Sequence, residues 1–285
     1  MRTLRLQAPA MTGGDVSAWQ RFLAARGVLS GAIDGVYGPA ADRATRDYQA
    51  SRGLEADGVA GLGTYAQAVR DGFAGARPDG AAAAGMDACL DCAPFARGIA
   101  AAGMKFVGRY YSRFAAKALT RAEALALTQA GLQLAAVYQD ANDDIRYFSA
   151  ALGQQCAARA LAQAAAVGQP AGSAIYFAAD FDPTPAQLSG PMMDHFRAVA
   201  RAFAAAPTGY LVGIYGSGLA CRTMREAGLA AFTWLSGSTG YRESESFREQ
   251  ANLVQIAPSR TICAGQLSID DDVAGSPGFG AFQVE

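Results

Sequence analysis

The sequence predicts an α/β protein: a TIM-type (β/α)8 barrel preceded by a small three-helix domain. Three observations carry this reading. Strand-like and helix-like runs alternate about eight times along roughly the last 200 residues, the rhythm of a closed parallel barrel. Those strand-like runs end in aspartates and aromatics, where such barrels keep their functional groups. The first seventy or so residues read differently, as short amphipathic helices separated by Asp-Gly turns.

The totals agree with this plan. The chain has 285 residues, 51% of them hydrophobic and 17% charged, which is enough apolar material for one large and one small domain. The net charge of −1 argues against nucleic acid as a partner, because phosphate contacts need a basic patch. No run approaches the ~20 apolar residues of a membrane helix, so no membrane insertion is expected. The start, Met1 to Ala10, has basic residues without a following apolar stretch, so no signal peptide is expected. A protein made in the cytoplasm would then reach its site of action through another system. The cysteines, Cys89, Cys92, Cys156, Cys221 and Cys263, are odd in number and scattered, which describes no disulfide framework. Cys89-Leu90-Asp91-Cys92 has the C-x-x-C spacing but no second pair and no nearby histidine. No metal or cofactor is expected, and the protein is expected to be a monomer.

Along the first domain, Gly14-Asp15 would cap a helix carrying Val16, Trp19, Gln20, Phe22 and Leu23 on apolar spacing. Ile33-Asp34-Gly35-Val36-Tyr37-Gly38 is a turn, and a second helix with Ala44, Tyr48 and Gln49 follows. Ala56-Asp57-Gly58-Val59-Ala60-Gly61 echoes that turn before Thr64 and a third helix through Val69. At these residues, over segment 10–72, the chain resembles the three-helix peptidoglycan-binding domains of cell-wall hydrolases. Ala41 stands where the first repeat usually has threonine, which removes one turn contact. The resemblance implies a ligand groove near the turns, with Tyr37, Tyr48 and Tyr65 as its candidates; Tyr48 taken alone reads sooner as a core residue, whereas Tyr37, beside a turn, is expected to be exposed. The domains expected are 1–72, a Gly/Pro/Ala-rich linker at 73–84 and the barrel at 85–285.

In the barrel segment the strand candidates begin at Gly85-Met86-Asp87, Phe106, Leu132, Ala174, Tyr210, Phe232, Asn252 and Gln266. Thr120 with Glu123 reads as a capping box, Ala150 to Val167 as a long Ala-rich helix, and Met192 to Ala205 as an amphipathic one. An open doubly wound sheet is the alternative, but no Gly-rich phosphate loop opens a helix. Asp87 ends the first strand, Asp140 follows the third, Asp180 and Asp182 end the fourth and Asp270 ends the last. Tyr110, Tyr138, Tyr215, Trp234 and Gln255 sit at or near other strand ends and would bind substrate. Acids and aromatics at one mouth suit a sugar polymer, whose ring faces stack on aromatics. Along a strand, Asp180 and Asp182 would face the same side, the carboxyl pair that glycosidic cleavage needs.

Gly85-Met86-Asp87, Arg109-Tyr110, Thr120-x-x-Glu123, Ile175-Tyr176-Phe177-Ala178-x-Asp180, Gly213-Ile214-Tyr215-Gly216 and Ile269-Asp270 give segment 85–285 a resemblance to the glycoside-hydrolase-like domains related to family 25 lysozymes. That resemblance implies peptidoglycan glycan strands as substrate. Where the family has D-x-E, this chain has Asp180-Phe181-Asp182, so Asp182 would be the general acid, displaced by about 1.5 Å for the missing methylene. Asp180 would stabilise the developing charge, and Asp87 and Asp270 would line the site; Asp272 is the weaker choice on the last strand. His195 reads as a surface or packing residue, and Asp143-Asp144 and Asp270-Asp271-Asp272 as solvated acidic loops rather than cation sites. The expected function is a muramidase-type peptidoglycan hydrolase, such as a phage endolysin or a delivered toxin. The alternatives are a wall-binding protein that does not cut, or a peptidase, which the absence of metal-ligand histidines and of a Cys/His pair disfavours.

Overall fold

The computed structural model of the protein describes residues 3–71, 73, 84–275 and 278–285. The interior of the expected linker, 74–83, lies outside the described residues. Its two ends belong to folded units: Phe73 packs on Trp19, Phe22 and Tyr65, and Ala84 opens the first barrel strand.

The N-terminal unit consists of α1 (Gly14–Ala25), α2 (Pro39–Ser51) and α3 (Leu62–Arg70). Asp15 lies inside the first turn of α1, where a carboxylate suits the positive end of the helix, and no side chain caps that end. The internal repeat has a physical basis. Gln20 accepts from Gly35 N and donates to Asp34 and to the Val36 carbonyl. Gln49 does the same to Gly58 N, Asp57 and Val59. Each glutamine thus ties its helix to an Asp-Gly turn whose glycine has positive φ, 71° in both cases. In the second copy Thr64 adds a contact to the amide of Gln49. The corresponding residue of the first copy is the buried Ala41, which has no hydroxyl to offer.

All three candidate tyrosines are core, as expected for Tyr48 and contrary to expectation for Tyr37 and Tyr65. Tyr37, Tyr48 and Tyr65 are 0%, 1% and 2% exposed. The turns fold back over the helices, so the Tyr37 hydroxyl is enclosed between Thr45 Oγ1 at 2.6 Å and the Gly58 carbonyl at 2.9 Å. Tyr48 and Tyr65 pack edge-on against Trp19.

The barrel runs β1 (Ala84–Asp87), α4 (Ala96–Ala101), β2 (Phe106–Tyr111), α5 (Arg121–Gln129), β3 (Gln133–Tyr138), α6 (Ala150–Val167), β4 (Ala174–Ala178), α7 (Pro185–Gln187), α8 (Met193–Ala205), β5 (Leu211–Gly216), α9 (Gly218–Glu226), β6 (Phe232–Leu235), α10 (Ser244–Phe247), β7 (Leu253–Ile262) and β8 (Leu267–Ala274). The strands close in sequence order, β1 through β8 and back to β1. The expected all-parallel order fails at one strand: β8 is antiparallel to both β7 and β1. A short turn replaces the last helix, with Cys263, Ala264 and Gly265 all at positive φ. A connection that short returns the chain antiparallel.

Two layers of core result. Phe106, Tyr176, Trp234, Leu253 and Phe279 fill the barrel, while Ile99, Leu127, Ala160, Phe196 and Ile214 pack sheet against helices. Phe279 arrives from the C-terminal segment, which pairs with β3 through Leu134 and Phe282 and accepts the Tyr176 hydroxyl on the Phe279 carbonyl. Thr120 caps α5 by accepting from Glu123 N. The Glu123 carboxylate does not complete the capping box. It turns to Arg109 on β2 and to Cys92 N in the connection between β1 and α4. His195 is a packing residue, buried between α6 and α8 against Phe148, and burial pushes its pKa down from 6.5 to about 4.

Candidate active site

A cavity of about 600 Å³ opens where the parallel strands end. The strand ends supply its lining: Asp87 from β1, Tyr110 from β2, Tyr215 from β5, Trp234 from β6, Gln255 from β7 and Asp270 from β8. Gln139 and Asp180 come from the residues just past β3 and β4. The β6–α10 loop adds Gly237, Ser238 and Thr239, and the extended β7–β8 hairpin adds Ala257, Pro258 and Ser259 as a side wall.

Asp87 and Asp270 are paired in register across β1 and β8. The Gln255 amide nitrogen bridges them, 2.7 Å from Asp87 Oδ2 and 3.4 Å from Asp270 Oδ2. Tyr215 and Gly237 N donate to the Gln255 carbonyl, which fixes the amide so that its NH2 faces the carboxylates. Tyr110 donates to Asp87 Oδ1 at 2.9 Å and Ser259 to Asp270 Oδ1 at 2.5 Å. Beneath them Asp272 is wholly buried and accepts the Trp234 indole N–H on Oδ1 at 2.8 Å, while its Oδ2 is buried without a hydrogen-bond partner. Burial, with Asp87 close by, pushes Asp272 well above the carboxylate range; burial and the Asp270 charge also push Asp87 up. Asp180 is raised mainly by burial, and its Oδ2 accepts from Gln139 at 3.1 Å. The Gln139 carbonyl is in turn 3.5 Å from Lys117 Nζ.

The structure therefore brings together Asp87, Asp180, Asp270, Tyr110, Tyr215, Trp234 and Gln255. Trp234 is only 1% exposed, so it forms the floor of the cavity rather than a stacking platform. Its ring lies against Gly108, where any side chain would displace it.

Asp182 and Tyr138 fall elsewhere. Strand β4 stops at Ala178, so the alternation that would align Asp180 with Asp182 has already ended. Asp182 turns to the β6–α10 loop, where Arg242 holds it through its guanidinium at 2.5 Å and its backbone N–H at 2.9 Å. Tyr138 follows Val137, which lines the cavity, and so points the opposite way. It is buried in the outer layer and donates to Asp140. Asp140 faces Arg113 and Arg159, away from the cavity. The acidic run at 270–272 is a strand rather than a solvated loop. Asp270 and Asp272 face the barrel interior, and Asp271 faces outward to Arg260.

Gln139 and Ser259 are site residues that the sequence does not single out, and the buried Asp272 is one that it ranks behind Asp270. Asp272 had a usable signal, its two-residue spacing from Asp270 on a strand. Ser259 had none, because it reaches the site only through the hairpin. Among the described residues, no group of three or more His, Cys, Asp or Glu could hold a metal ion, and no helix is long and apolar enough to cross a membrane.

Comparison with known proteins accounts for both units. Residues 12–67 match the family model of a peptidoglycan binding domain, and residues 97–274 match the Rv2525c-like, glycoside hydrolase-like domain. Among curated proteins, YbfG of Bacillus subtilis is 28% identical over 224 residues, 74% of this chain and 30% of the relative. FadG of the same organism is 24% identical over 254 residues, 85% of this chain and 43% of the relative. The chain thus spans less than half the length of either. Among solved structures, the Tat-secreted protein Rv2525c of Mycobacterium tuberculosis, in complex with L-tartrate, superposes with a TM-score of 0.58. It is 22% identical, with 70% of this chain and 98% of that chain covered, a likeness of fold. With the matching model spanning most of the barrel, the chain belongs to the Rv2525c-like glycoside hydrolase-like family and carries a peptidoglycan-binding domain at its N-terminus.

Proposed function

We propose that this protein is a peptidoglycan hydrolase of muramidase type, held on the cell wall by its N-terminal unit. The observation that carries the reading is the convergence of Asp87, Asp180 and Asp270 in one cavity walled by Tyr110 and Tyr215. Asp180 takes the role of general acid. Its raised pKa keeps a proton available, and Gln139 engages only one of its oxygens. It gives that proton to the glycosidic oxygen, which leaves with the bonding electron pair. Asp270, fixed by Ser259 and Gln255, faces the positive charge that develops on the sugar ring, and water completes the hydrolysis. The same reading gives the protein a wall-degrading role, as an endolysin or a delivered effector that reaches the wall through another system.

One observation favours a second reading, a barrel that binds glycan without cutting it: the carboxylate expected to act as acid, Asp182, is held by Arg242 outside the cavity. Purified protein incubated with isolated sacculi separates the two. Hydrolysis releases soluble fragments with new reducing ends, which mass spectrometry assigns to one glycosidic bond. Co-sedimentation with no release would leave only the binding role.

A further inference from the structure

Outside the cavity lining, the buried carboxylates of Glu123 and Asp271 are met by arginine, and the buried Asp272 beneath it by the Trp234 indole. Glu123 faces Arg109 and Asp271 faces Arg260. The less buried Asp140 and Asp182 face Arg159 and Arg242. The cavity breaks this pattern. Asp87 and Asp270 are held only by the neutral donors Tyr110, Gln255 and Ser259, and Asp180 by Gln139. Among the described residues, no lysine or arginine lines the cavity. The ammonium of Lys117 lies over the Tyr110 ring, within 3.5 Å of the Gln139 and Asp140 carbonyl oxygens; its charge is felt at Asp180, behind Gln139, but it is not part of the lining. A metal does not fill the gap, since no cluster of described residues could hold one.

We propose that the cavity selects an amino sugar whose nitrogen is not acetylated, its ammonium supplying the cation that Asp87 and Asp270 lack. This inference rests on the barrel being a glycan site and names the sugar it takes. An acetamido group is neutral and leaves the carboxylates uncompensated. The free carboxylate of a stem peptide would add like charge in a partly desolvated site, where repulsion is strong. An ammonium brings three N–H donors to carboxylates whose oxygens each have room for more than one acceptor contact. Glycan stretches that have lost their acetyl groups are the substrate class this charge pattern fits.

The test is a calorimetric titration of the full chain with an oligomer of glucosamine and with the matching oligomer of N-acetylglucosamine, near neutral pH, where Asp87, pushed up to about 6, is ionised. The glucosamine oligomer binds roughly tenfold tighter or more, and added salt narrows the gap. Asp270→Asn and Asp87→Asn, each checked for folding by circular dichroism, lose most of the preference. Equal or tighter binding of the acetylated oligomer overturns this inference and leaves the glycan reading standing. A preference undiminished in both variants places it at the protein surface and also overturns the inference. Binding of neither oligomer overturns both readings.

Discussion

Asp180 and Asp182 lie two positions apart and meet different chemistry. Asp180 is anchored through its backbone N–H to the Asn142 carbonyl and lines the cavity, while Asp182 is held by Arg242. Their separation was not legible in the sequence, because the apolar run leading to Asp180 gives no sign that the strand stops at Ala178. Tyr37 shows the converse case. Its Asp-Gly turn was legible, and the burial of its ring was not, because that burial depends on Thr45 and on the second turn at Gly58. Tyr37→Phe is expected to cost about 1–2 kcal/mol through those lost hydrogen bonds. Urea unfolding measures that loss, and sedimentation with sacculi should be unchanged for the folded protein.

At the scale of elements, the strands were legible because buried strands are runs of β-branched and aromatic residues, as in Phe106–Tyr111 and Ala174–Ala178. The direction of β8 was not, since the turn before it places Cys263 and Ala264 at positive φ, which neither residue advertises. The same hairpin carries Ser259 to the cavity, so the site and the fold were obscured by one feature. The tie between β2 and α5 is the buried Arg109–Glu123 pair, with each side chain 1% exposed. Glu123→Gln leaves the Arg109 charge without its partner and is expected to cost about 3–5 kcal/mol. A thermal melt read by circular dichroism should show that loss. At the cavity floor, Gly108→Val pushes the Trp234 ring out of place. Its intrinsic fluorescence should shift, and glycan binding should weaken.

Across the whole molecule, stability should depend on pH through groups of opposite sign. His195 has a folded pKa of about 4 against 6.5 unfolded, so its contribution is complete above about pH 6.5 and is lost as pH falls toward 4. The loss amounts to roughly 3 kcal/mol. Asp87 and Asp272 are raised, so they stabilise the fold at low pH and lose that contribution as pH rises through their folded values. The two effects oppose each other in the native protein. Comparing melting temperatures across this range for the native protein and His195→Phe isolates the histidine: the variant should resist acid better than the native chain.

The most direct measurement is reducing-end release from isolated sacculi by Asp180→Asn and Asp182→Asn, side by side with the native protein. The cavity geometry predicts that Asp180→Asn loses activity by about 10²–10⁴-fold, the usual worth of a general acid, while Asp182→Asn stays within a few-fold of the native rate. Full activity in Asp180→Asn, with loss confined to Asp182→Asn, would contradict it.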